Sequence, residues 1–131
     1  MIKFFSNNKI VFISINFCLI FLYLFPGSLI GQVLYGSKQI QPQITPDFVI
    51  SSNHFYIFVL ISIIGFLTFT KMKQIKPLLI YLILLSIILE LLHLIIPYRT
   101  FQWSDFFGNL IGVAVVILFR NLINKYGVFK K

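Results

Sequence analysis

The chain has three acidic residues, Asp47, Glu90 and Asp105, and two histidines, His54 and His93. Glu90 lies inside an apolar run and His93 follows at i+3, so both side chains share one helix face. A carboxyl and an imidazole so placed can serve as general base and acid. Glu-x-x-His is also half of a di-iron carboxylate site, but that site needs a second such pair and two more glutamates, more acids than the chain contains. A single metal held by Glu90, His93, His54 and Asp105 is geometrically possible, yet the spacing alone does not call for one. No metal and no cofactor is expected. Serines such as Ser86 and Ser104 sit in no nucleophile-elbow motif, and there is no glycine-rich phosphate loop.

The elements that position these residues follow from composition. The chain has 131 residues, 59% hydrophobic, 18% aromatic and 11% charged, with a mean hydropathy of +0.96. A soluble domain carries about 25% charged residues, and a chain this short cannot bury so much apolar surface in a water-facing globule. Composition therefore excludes a soluble enzyme and a disulfide scaffold, since Cys18 is the only cysteine. The net charge of +8 is dispersed between apolar runs and forms no basic face, so no nucleic-acid partner is expected. The reading is an all-α polytopic membrane protein, a single domain with four transmembrane helices. The spans are expected at about 10–26, 54–70, 77–96 and 105–123, joined by an outer interfacial loop over 27–53 that contains Phe48. Each is close to the hydrocarbon thickness of a bilayer, with the first two slightly short. The first lacks a small-x-small exit and reads as an uncleaved anchor.

Charge gives the direction. Lys3, Lys9, Lys71, Lys73, Lys76, Arg120, Lys125, Lys130 and Lys131 fall on one side, against Lys38 and Arg99 on the other. The positive-inside rule then places both termini in the cytoplasm.

That topology sets six polar groups at one depth in the outer half of the membrane. Pro97 is expected to stop the third helix, which puts Glu90 about 10 Å below its outer end. Asp105 stands in the first turn of the fourth helix, with Asn109 one turn deeper and Gly112 on the same face. Arg99 lies in the short hairpin between them, and His54 opens the second helix. Each has a plainer role available: Asp105 as a complement to the helix dipole, Arg99 as a phosphate anchor, His54 as an interfacial cap, Asn109 as interhelical glue. Gly108 and Gly112 form a small-xxx-small contact for a neighbouring helix. Asn16 reads as packing. Glu90 is the exception, because an acid within a span faces the protein interior, has a partner and marks a function by default. Arg99 is expected to fold back and pair with Glu90 or Asp105, and Asn109 to lock Asp105 or a ligand.

As a string, the hairpin reads Glu90-x2-His93-x3-Pro97-x-Arg99-x5-Asp105-x3-Asn109-x2-Gly112. This resembles the signature of the VanZ-like membrane protein family, in which a Glu-x2-Gln precedes Pro-x-Arg and Asp-x3-Asn-x2-Gly at the same spacings. The match covers about 25 residues closely. The sequence departs from it at His93, where the family commonly has glutamine, and before the second span, where Ile50 and Ser51 replace an acid and a lysine ahead of His54. The family is named for an accessory protein of glycopeptide resistance. The resemblance implies a multi-pass protein of a bacterial plasma membrane, with Glu90, His93, Pro97, Arg99, Asp105, Asn109, Gly112 and His54 in its site. The expected partner is a membrane lipid or lipid-linked envelope precursor, gripped through its anion by Arg99, with Glu90 and Asp105 orienting hydroxyl or amine groups. Two other readings remain open: an enzyme using Glu90 and His93 as a proton-transfer pair on such a lipid, and a structural protein whose polar residues form one satisfied network.

Overall fold

The computed structural model describes residues 2–47 and 49–126; Phe48, Lys130 and Lys131 lie outside the described residues. Six helices follow in chain order: α1 (Ile2–Asn7), α2 (Lys9–Leu24), α3 (Leu29–Tyr35), α4 (Ser52–Thr68), α5 (Met72–Leu92) and α6 (Trp103–Tyr126), with no strand among the described residues. α5 and α6 are each long and apolar enough to cross a membrane. α2 and α3 pass that test only as a pair, bent by 75° at the break between them. α4, with 17 residues, is a shorter apolar helix.

The interior and exterior are arranged as lipid requires. Phe58, Ile61, Leu82, Leu89 and Val113 form the core, while Phe17, Leu60, Ile95 and Phe119 point outward. Glu90, His93, Asn109, Ser62 and Ser86 are almost wholly buried. Apolar outside and polar inside is the placement expected of a chain that would leave unpartnered charge in hydrocarbon at high cost.

α4 packs most extensively on α6, and two glycines allow it. A Cβ at Gly108 would stand 2.9 Å from the Ser51 carbonyl oxygen, and one at Gly112 would stand 2.7 Å from that of Phe55. The small-xxx-small pair therefore brings α6 onto the backbone of α4 and sets Asp105 and Asn109 against His54.

Two sequence expectations need correction. α5 begins at Met72, five residues earlier than the span expected from Pro77, which lies inside the helix. The lost bond there belongs to the first turns, near the helix end where water can serve the freed carbonyl. α5 also ends before Pro97. From His93 onward the amides of His93, Leu94 and Ile95 bond to the third residue back. This tightened last turn, with Pro97 disfavouring helix at the residue before it, leads to Tyr98 at φ 61°. The start of α4 is tied to the loop before it. The Asp47 carboxylate accepts the Ser52 amide at 2.7 Å, and Asn53 reaches back to the loop at Pro42 and Ile44.

Candidate functional site

The site begins where α2 stops. Pro26 cannot continue the helix and Gly27 turns the chain at φ 79°, leaving the last-turn carbonyls of α2 without helical partners. Two residues far along the chain fill them. Arg99 Nη2 donates to the Leu22 carbonyl at 3.2 Å and Arg99 Nε to that of Phe25 at 3.4 Å. His93 Nε2 donates to the Tyr23 carbonyl at 3.1 Å. Arg99 Nη1 reaches Gln41 Oε1 at 3.3 Å. A cation at the negative end of a helix is favourable. Half-burial lowers the affinity of the Arg99 guanidinium for its proton, while Tyr23, Asp105 and Glu90 raise it; arginine stays charged throughout.

The expected pairing of Arg99 with an acid is therefore replaced by a clamp on α2. Among the described residues, the basic side chains within 4.0 Å of the Glu90 and Asp105 carboxylates are histidines. The reason is geometric: the carbonyls of a broken helix end lie closer to the hairpin than the acids do.

Below this clamp, Asn109 ties four segments together. Its Nδ2 donates to the Ser86 carbonyl at 3.3 Å, which orients the amide. Its Oδ1 then accepts the Tyr23 hydroxyl at 2.9 Å and faces His54 Nδ1 at 3.1 Å. Tyr23 Oη also lies 3.1 Å from His54 Nδ1. Both neighbours of Nδ1 are acceptors toward it, so Nδ1 carries the hydrogen. Asn109 locks His54 and Tyr23, instead of Asp105 as expected.

The two carboxylates face the two rings. Asp105 Oδ2 stands 3.3 Å from His54 Nε2, and its Oδ1 accepts the Ser104 hydroxyl at 3.2 Å. Glu90 Oε1 accepts the Gln102 amide at 3.0 Å. Glu90 Oε2 lies 3.3 Å from His93 Nδ1 and 3.8 Å from His54 Nδ1, yet is buried without a hydrogen-bond partner. His54, Glu90 and Asp105 each present a ligand atom within 4.8 Å of the others.

Two cavities adjoin the cluster. A polar one of about 270 Å³ is walled by Lys38, Gln39, Tyr98, Thr100, Gln102 and Asp105. An apolar one of about 140 Å³ is walled by Leu22, Leu29, Ile30, Ile44 and Ile57, with His54. Ser28, Gln41, His93 and Arg99 belong to both walls.

Of the residues expected in the site, Glu90, His93, His54, Asp105 and Asn109 come together, and Arg99 stands at the rim. Gly108 and Gly112 act in packing, and Pro97 in the hairpin turn. Tyr23 was missed, although it touches His54, His93 and Asn109; a tyrosine at a span end has the ordinary signature of an interfacial belt. Asn16, read as packing, bonds the Tyr81 hydroxyl between α2 and α5. No family model, no curated protein and no solved structure matches this chain.

Proposed function

We propose that the chain is a VanZ-like, four-span membrane protein with both termini in the cytoplasm, and that its outer-half site binds an anionic lipid or lipid-linked envelope precursor. The observation that carries this reading is the shared wall between a polar and an apolar cavity. An amphiphile needs both: a place for its charged headgroup and a dry channel for the first part of its chain. Lys38 and Arg99, the two basic residues assigned to the outer side, line the polar cavity. Arg99 also lines the apolar one, so the headgroup of a bound lipid would sit at the point where its tail begins. On this reading α4 spans despite its 17 residues, with the bilayer thinning locally to meet it. The exposed apolar side chains of α3, Ile30, Val33 and Leu34, lie in the outer interface.

Lipid mass spectrometry on protein extracted in native nanodiscs tests this. One phosphate-bearing species is expected to be enriched over the bulk membrane, and to be depleted in Lys38→Gln. A lipid complement identical to the bulk membrane in both proteins would refute the reading.

The competing structural reading has one observation in its favour, the tie that Asn109 makes between Tyr23, His54 and Ser86. Under it, Lys38→Gln leaves lipid content unchanged and Asn109 variants lose expression alone.

A further inference from the structure

Both histidine rings are anchored in the same manner. His54 places its Nδ1–H among the oxygens of Asn109 and Tyr23, and His93 donates Nε2–H to the Tyr23 carbonyl. In each neutral ring the other nitrogen then holds a lone pair. Each of those lone pairs meets a carboxylate oxygen at 3.3 Å: His54 Nε2 against Asp105 Oδ2, and His93 Nδ1 against Glu90 Oε2. With both rings neutral, these two contacts set acceptor against acceptor side by side in a buried cluster. The nearby fixed cation does not resolve them, because Arg99 is committed to carbonyls and Gln41. Glu90 Oε2, in a residue with no exposed surface, has no hydrogen-bond partner.

We infer that His54, Glu90 and Asp105 bind a divalent first-row metal ion of the zinc class, with His54 ligating through Nε2 and the His93 ring standing beside the Glu90 carboxylate. Imidazole with carboxylates is a donor set for such ions, whereas magnesium and calcium prefer oxygen alone. Metal-bound histidines almost always donate their second ring N–H to an oxygen, as His54 does to Asn109 or Tyr23. Two ligands on a tetrahedral ion with bonds of about 2.05 Å are ~3.3 Å apart, which is the His54–Asp105 separation. The ligand atoms of the trio all lie within 4.8 Å of one another, a spread that closes through the soft terminal torsions of the carboxylates. The charges also balance, since one divalent ion neutralises both carboxylates. Asp105 and His93 line the polar cavity, so a free coordination position would open toward any anion held there. The metal site does not depend on the lipid proposal, because ion content and lipid content are read separately.

The test uses the full chain in detergent, stripped with chelator, dialysed and titrated with ZnCl₂ or CoCl₂ alone. Expected are one tightly held zinc per chain by elemental analysis and visible ligand-field bands on Co²⁺ binding. The Co²⁺ form should also show a solvent-exchangeable, hyperfine-shifted proton from the His54 Nδ1–H. His54→Gln and Asp105→Asn should each weaken zinc binding by roughly 100-fold or more, and Tyr23→Phe by about tenfold through loss of ring orientation. Far-UV circular dichroism and monodispersity identify folded variants. If none of them folds, the Co²⁺ spectrum of the wild type decides alone. Zinc content below a tenth of an ion per chain, absent Co²⁺ bands, or folded variants that bind as the wild type does would each overturn the assignment.

Discussion

Replacing Asn109 by leucine keeps the volume and removes three polar contacts at once. The amide donates to Ser86 and accepts from Tyr23 and His54, at 3.3, 2.9 and 3.1 Å. Hydrogen bonds between membrane helices average about 0.6 kcal/mol and reach about 1.7 kcal/mol. Three of them give ~2 kcal/mol at the average value. The loss stays near that figure because Tyr23 Oη and His54 Nδ1, 3.1 Å apart, can satisfy one another once the amide is gone. The assay is reversible unfolding in mixed micelles titrated with SDS, followed by circular dichroism and by the fluorescence of Trp103, the single tryptophan. Tyr23→Phe alone should cost about 0.6 kcal/mol, one average bond. The double variant should fall short of the sum by a similar amount, because the Tyr23–Asn109 bond is counted in both singles. An Asn109→Leu protein within about 0.3 kcal/mol of the wild type, or strict additivity with Tyr23→Phe, would refute the network as the tie between α2, α4, α5 and α6.

Other predictions follow from packing, from the hairpin and from topology. Gly112→Val would drive a methyl-bearing carbon to 2.7 Å from the Phe55 carbonyl oxygen and should destabilise by roughly 1–3 kcal/mol or more in the same unfolding assay. Arg99→Met and Asp105→Leu should couple only weakly, by about 0.5 kcal/mol, since the field of Asp105 reaches Arg99 but no direct bond joins them; coupling of several times that would restore the acid pairing. Arg99→Lys should fail to rescue Arg99→Met, because an ammonium cannot reach Leu22, Phe25 and Gln41 with a planar fork. Single cysteines at Lys38 and Lys73, in a Cys18→Ala background, should label with an impermeant maleimide only from outside and only from inside, respectively. The opposite pattern would invert the topology.

Much of the site was legible because ionisable groups are scarce and costly in this chain. Glu90 and His93 at i+3, and Asp105 and Asn109 at i+4, fix shared faces without any knowledge of the neighbours. Arg99 was misread because a sequence displays charges and hides free carbonyls. Only the break after Leu24 and the 75° turn into α3 reveal an acceptor cluster opposite the hairpin. Tyr23 was hidden by abundance, one aromatic among 16 phenylalanines and 6 tyrosines. The early start of α5 was hidden by Lys73 and Lys76, which read as loop, though lysines at a helix end can snorkel to the interface.

The Tyr23–Asn109 bond joins residues 86 apart in sequence, and this bears on how the protein is made. At 5–20 residues per second, roughly 4–17 s of translation separate the two residues. Over that interval α2 and then α4 are made with Tyr23 and His54 lacking their common acceptor, and α5 joins them with Glu90 buried in no finished cavity. α6, the last of the described helices, supplies both Asp105 and Asn109. A nascent chain arrested before α6 should therefore be an exposed substrate for membrane proteases, and release of α6 the event that ends its vulnerability.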